Sequence, residues 1–225
     1  STGAFTVLKN SQVAGVKMAD VPHNLFSQKP WNDFRSKALQ SGRFVVGHNR
    51  KATQGAISPD NAHPFNEGAI TLMHNGTLRN HRAIADVDVD SHAVAKAFNE
   101  GNYRDIIKEI DGAYCFIWYD TRDKKLRILR NDERPLGIVE TADRWLFSSE
   151  VWMAQTAGQR YGLIDDKEKK VINLVTNLKP GVIATFTDKG VLETEDVEMY
   201  KPKVSSYYNR YEGADDYHDY PNLDW

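Results

Sequence analysis

The sequence predicts an α+β domain, and three observations carry that class. Helical spacing is concentrated in the first half, at residues 31–39 and 91–110. Short β-branched or aromatic runs separated by turn residues occur throughout and fill the second half. Strands and helices do not alternate one for one, as parallel βαβ units require. At 225 residues, 40% hydrophobic and 27% charged, the chain can bury a core of its own and lies far from disordered or membrane compositions.

The elements follow in order. Residues 3–9 (GAFTVLK) and 12–17 (QVAGVK) read as two strands joined at Asn10 and Ser11. In 31–39 (WNDFRSKAL) the positions Trp31, Phe34, Ala38 and Leu39 share one helical face. Residues 44–47 and 69–73 are apolar strands, and the segment between them is dense in Gly, Asn, His and Pro, the composition of loops that carry sites. Residues 91–99 and 103–110 read as helices. The runs 112–119, 125–130, 136–140, 144–148, 171–174, 182–187 and 191–195 read as strands of a largely antiparallel sheet, with a short helix at 151–157. The domain is expected over 1–200. In the remaining 201–225, tyrosines alternate with acids without a period, which fits either a poorly ordered tail or a peptide that docks on a protein partner.

A formal charge of −2 with no basic stripe argues against nucleic acid as a partner. No apolar run approaches the roughly 20 residues that cross a bilayer, so no membrane association is expected. The opening STGAFTVLKN has no signal-peptide pattern. With a single cysteine, Cys115, this points to a cytoplasmic protein.

The stretch 47–80, GHNRKATQGAISPDNAHPFNEGAITLMHNGTLRN, is the most informative. Its blocks 47–55, 61–64 and 74–76 resemble, in order and spacing, the GHxRxAT-x-G, NAHP and HNG signatures of class II glutamine amidotransferases. Taken singly, Asn75-Gly76 would be a hairpin turn, 61–64 an ordinary loop and Arg50 a surface ion pair. The joint spacing carries the resemblance. Further similarity at 110–116, 130–136, 147–150 and 178–182 extends it over about residues 1–190. It implies the N-terminal nucleophile (Ntn) hydrolase fold, a four-layer αββα sandwich of two stacked antiparallel sheets.

A site that takes ammonia from glutamine must hold the amino acid, attack its side-chain amide and stabilise the resulting oxyanion. Arg50 offers a bidentate fork for the α-carboxylate and is, by resemblance, the family's substrate arginine. Asn75 and Gly76 match the side-chain and backbone donors of its oxyanion hole. Thr53 and His63 match positions lining the glutamine pocket. Asp90 is the candidate for the substrate ammonium, with Asp86 and Asp88 competing. Gln54 stands where many members carry histidine.

The family's nucleophile is a cysteine at the mature N-terminus, whose α-amino group can act as base. The first residue here is Ser1. Ser1-Thr2-Gly3 resembles the family's internal Asp-Ser-x-Gly strand, which would leave the cysteine strand and the following helix outside these residues. Alternatively, Ser1 is itself the nucleophile. Cys115, inside GAYCFIWY, reads as a small buried hydrophobe. His48 and His74 are expected to brace loops. His23, His81, His92 and His218 lack ligand spacing, so neither metal nor cofactor is expected.

Two functions are weighed. One is hydrolysis of L-glutamine to glutamate and ammonia through a thioester, with ammonia passed to an acceptor synthase domain or subunit. The other is a binding or structural relative that keeps the fold without catalysis.

Overall fold

In the computed structural model, which describes residues 1–51, 56–141, 144–163, 171–175, 178–187 and 192–201, the strand Gly112–Asp120 sets the layering. Tyr114, Phe116 and Trp118 enter one core, shared with helices; Cys115 and Tyr119 enter another, shared with further strands. A strand turns successive side chains to opposite faces, so a run apolar at nearly every position suits burial on both sides.

The elements are β1 (Thr2–Leu8), β2 (Val13–Met18), α1 (Pro22–Phe26), α2 (Lys29–Ser41), β3 (Gly42–Asn49), β4 (Phe65–Glu67), β5 (Ile70–Leu78), α3 (His81–Ile84), α4 (Asp90–Glu100), α5 (Tyr103–Glu109), β6 (Gly112–Asp120), β7 (Lys125–Arg130), β8 (Gly137–Thr141), β9 (Trp145–Ser148), α6 (Val151–Arg160), β10 (Val171–Val175), β11 (Val182–Phe186) and β12 (Leu192–Asp196). They form a six-stranded sheet, β12-β11-β7-β6-β5-β4, and two three-stranded sheets, β2-β1-β3 and β10-β8-β9. Every pairing is antiparallel.

The layers follow from which face each strand buries. Val94 and Phe98 of α4 and Ile107 of α5 pack with Leu72, Phe116, Trp118 and Leu129 on one face of the large sheet. Its other face meets Phe5 and Val7 of β1, Val46 of β3 and Ile138 of β8 through Met73, Cys115, Ile128 and Phe186. Outside the small sheets lie α2, against β1 to β3, and α6, against β8 and β9. This is the expected four-layer αββα sandwich.

Three local differences from the sequence reading have physical reasons. The strand expected at 69–73 runs to Leu78, because residues 74–78 pair with β6 from Phe116 to Gly112; their Asn-Gly composition had read as loop. Short elements such as α1, α3 and β4, at 5, 4 and 3 residues, carry too few positions for a period. Helix α2 starts two residues before Trp31, with Pro30 in its first turn, where a missing N–H costs nothing. Apart from Lys201, the tail expected at 201–225 lies outside the described residues.

Candidate active site

The site is built where β5 runs past the end of β4. Thr121 donates its N–H to Ala69 O at one end of the β5–β6 ladder, and Arg79 donates to Asp111 O at the other. Antiparallel residues alternate between bonding their partner and turning away, so His74, Gly76 and Leu78 direct their backbone groups away from β6. Two of the three are occupied. The His48 ring bonds the His74 backbone, and the Asp90 carboxylate accepts the Leu78 N–H at 3.0 Å. Between them the Gly76 N–H points off the strand edge.

Glycine is required at this point. Gly76 has φ +150°, and a Cβ there would lie 1.9 Å from Ala113 O and 2.8 Å from His74 Nε2. The Asn75 side chain has the parity of Met73 and faces the space between the sheets. The same strand end thus presents a side-chain amide and a backbone N–H.

Histidines hold the surrounding loops. The His48 and His63 rings lie with centroids 4.1 Å apart and planes tilted by 46°, and His63 and Phe65 meet edge to face at 5.0 Å. Burial, followed by the nearby charges of His74 and Arg50, pushes His48 down to about 4. Burial likewise holds His63 well below the usual imidazole value, with His48 as the next cause. Both rings are therefore neutral at pH 7. Neither His63 ring nitrogen has a hydrogen-bond partner among the described residues, although the residue is 2% exposed. His74 bonds Ser91 Oγ at 3.0 Å, and Ser91 bonds Asp90, so His74 braces α4 against β5.

The loop carrying His63 is held from below by Lys17 of β2. Its ammonium donates to the carbonyls of Asp60, Ala62 and Pro64 at 3.3, 3.1 and 3.3 Å, using all three protons, and sits 5.6 Å from the Phe65 ring centroid. At Gly3 a Cβ would lie 1.9 Å from His63 O, so the loop rests directly on β1.

Asn75, His48 and Asn49 stand at the polar end of a cavity of about 420 Å³. Its floor is Met73, Cys115, Ile117 and Leu136, and Phe147, Ser148 and Ser149 line its far side.

The expected residues are distributed as follows. Asn75, Gly76, His63 and Arg50 cluster around the ends of β3 and β5. Arg50 and Ser1 exchange both backbone hydrogen bonds, at 2.8 and 3.0 Å. That pairing continues the β1–β3 ladder one residue beyond Thr2 to Ser1, which lies outside the cavity lining with its Oγ buried and unpartnered among the described residues. Asp90 is 4% exposed and accepts from the N–H groups of Leu78 and Ser91 and from Ser91 Oγ, leaving acceptor capacity for one more donor. Asp86 and Asp88 are exposed and pair with Arg82. Thr53 and Gln54 lie outside the described residues. Cys115 is buried as expected, and burial pushes its thiol up to about 12.

Sequence reasoning missed Asn49, whose Oδ1 accepts from Thr2 Oγ1 at 2.6 Å, and Lys17. Nothing local marks a strand lysine as a loop clamp. Among the described residues, no His, Cys, Asp and Glu side chains converge as a metal-ligand set, and no helix is long and apolar enough to cross a membrane.

Layering and topology together define an Ntn-hydrolase-type sandwich. Solved structures agree on the fold: glutamine phosphoribosylpyrophosphate amidotransferase from B. subtilis, complexed with ADP and GMP, has a TM-score of 0.65 at 19% identity, covering 87% of this chain and 42% of its own. A second structure, described as the allosteric regulatory enzyme of purine biosynthesis, has a TM-score of 0.66 at 20% identity, with the same coverage.

In sequence, residues 48–155 match the glutamine amidotransferase domain family. Glutamine–fructose-6-phosphate aminotransferase (isomerizing) of Methanosarcina mazei is 25% identical over 187 residues, 70% of this chain and 29% of the relative. The Pectobacterium atrosepticum protein of the same name is 29% identical over 180 residues, 71% of this chain and 28% of its own. The chain therefore spans under a third of the length of these relatives. Residues 48–155 thus match a glutamine amidotransferase domain, and the solved structures share the fold of the chain.

Proposed function

We propose that this domain binds L-glutamine at the ends of β3 and β5 and promotes its hydrolysis to glutamate and ammonia, for use by an acceptor synthase domain or subunit. The observation that carries the reading is the pair of donors at Asn75 and Gly76, one side-chain amide and one outward N–H, fixed beside Arg50 and the neutral His48–His63 pair. Attack on the glutamine amide carbon turns its carbonyl oxygen into an oxyanion, and donors already in position stabilise that charge without rearranging. The C–N bond then breaks, ammonia leaves with the added proton, and water hydrolyses the acyl intermediate to glutamate.

Arg50 takes the substrate carboxylate. Asp90 receives the ammonium with its remaining acceptor capacity, and His63 shapes the pocket. The attacking group is assigned to neither Cys115 nor Ser1. A thiol pushed up to about 12 is protonated at pH 7, and the Ser1 backbone is committed to the β1–β3 ladder. A cysteine supplied by polypeptide outside these 225 residues completes the reaction.

Calorimetric titration with L-glutamine, D-glutamine and L-glutamate tests the binding step without requiring turnover. L-glutamine is expected to bind best. Arg50→Lys is expected to weaken it at least about tenfold, because one ammonium cannot reproduce a bidentate fork. Equal affinity for both enantiomers, or no effect of Arg50→Lys, would remove the proposal. Binding without ammonia release by the natural polypeptide would favour the non-catalytic relative.

A further inference from the structure

A second cavity, of about 630 Å³, lies where the start of β6 meets the end of β7 and the residues that follow β12. It sits on the other face of the large sheet from Asn75. Tyr114 lines it and belongs to the core shared with α4 and α5, against which Met199 also packs. Asn75 pairs with Cys115, whose side chain enters the opposite core.

Tyr114 is the observation that marks this cavity as a site. The residue is 1% exposed, its ring stacks on Phe116 with centroids 4.6 Å apart, and its hydroxyl has no hydrogen-bond partner among the described residues. A phenol sealed this far from water normally finds a partner. Its neighbour Asn131, equally buried, has done so: it accepts the Tyr114 N–H at 3.1 Å and donates to Gly112 O at 2.6 Å. Burial, and after it the charge of Asp132, holds the Tyr114 hydroxyl above its usual pKa, so the phenol stays protonated. Asp132 lines the same cavity, and the hydroxyl therefore looks into it toward that carboxylate.

The surrounding charges fix the sign of a ligand. Arg79 is committed to two carboxylates, donating to Asp111 Oδ1 at 2.9 Å and to Glu133 Oε1 at 3.1 Å. Asp132 makes no hydrogen bond or ion pair among the described residues. Three carboxylates against one guanidinium disfavour an anion and match a cation. The remaining walls, Ile110, Met199 and Tyr200, are apolar or aromatic, and a bare ion would leave them uncovered.

We propose that this cavity binds a small organic cation, an ammonium group on an apolar body, whose N–H groups donate to the Tyr114 hydroxyl oxygen and the Asp132 carboxylate while the body lies against Ile110, Met199 and Tyr200. An ammonium carries three donors and no acceptor, so one group serves both oxygens. The cavity shares no lining residue with the one beside Asn75, so this proposal and the glutamine reading can fail separately.

Calorimetric titration of the natural polypeptide with phenethylammonium, phenethyl alcohol and phenylacetate tests it, because the three share an aromatic body and differ in charge. The cation is expected to bind at least about tenfold more tightly than either of the others. Asp132→Asn, a change at an exposed residue, is expected to weaken the cation at least about fivefold, and Tyr114→Phe about threefold or more. Without ligand, Tyr114→Phe is expected to leave the Tm unchanged or raise it, since the hydroxyl removed has no partner among the described residues. A Tm lowered by several degrees would make that hydroxyl structural and overturn the proposal. Equal affinity for the three probes, no binding at millimolar concentration, or undiminished binding by Asp132→Asn also overturns it. Cation binding that saturating L-glutamine displaces and Asp132→Asn leaves unchanged assigns the ammonium to Asp90 instead. Binding that emerges only when Lys203 and Arg210 are both changed to Ala assigns the cavity to the chain's own cations, which equally overturns it.

Discussion

Replacing Lys17 with Met keeps the aliphatic stem against β1 and removes the ammonium that holds the His63 loop. Three hydrogen bonds are lost, to the carbonyls of Asp60, Ala62 and Pro64. A hydrogen bond to a charged group contributes about 1.5–3 kcal/mol when well buried. These are long at 3.1–3.3 Å, and the bond to Asp60 is exposed, where water replaces the ammonium. Counting about 1 kcal/mol for each of the two part-buried carbonyls gives a loss of about 2 kcal/mol. For a domain of this size that corresponds to a Tm lower by roughly 4–8 °C. Urea unfolding with an unchanged m value measures the loss, and the ring resonances of His63 report whether the loop has moved. Lys17→Arg, which retains the charge, is expected to recover part of the stability. A loss under about 0.5 kcal/mol, or an unmoved His63 resonance, would refute the clamp.

Other outcomes follow from the same geometry. Gly76→Ala places a methyl 1.9 Å from Ala113 O in a backbone region L-residues avoid, and is expected to cost about 3 kcal/mol or more in chemical denaturation and to abolish glutamine binding by calorimetry. His48 is neutral in the fold and titrates near 6.5 when unfolded, so unfolding takes up a proton between those values. Stability present above pH 6.5 is lost as pH falls toward about 4, by up to ~3 kcal/mol, and His48→Gln is expected to flatten that slope in urea titrations run across pH. The Cys115 thiol should not react with a disulfide reagent at pH 8 until denaturant unfolds the chain; prompt labelling of the native protein would contradict its burial.

The parts of the fold legible in the sequence were those where one residue's neighbours in sequence dictate its environment. GAYCFIWY is apolar at nearly every position because both faces of β6 are covered, and the run itself says so. The loop-like composition of residues 74–78 gave no sign that they continue β5, because their partners lie in β6, dozens of residues away. The motif blocks pointed to Asn75, Gly76, His63 and Arg50, since under the proposed function each acts through its own functional group. Lys17 and Asn49 act by holding other residues, and that duty depends on which loop packs above them.

Gly76 sits inside a nine-residue ladder with β6, from Ile70–Asp120 to Leu78–Gly112, and not on a loop. Its N–H direction is therefore set by a continuous run of cross-strand bonds. Moving it by an ångström would mean sliding or breaking that run. Sequence change at this site is consequently confined to groups outside the ladder, such as the Arg50 side chain. The donor itself works as a fixed datum against which those groups are adjusted.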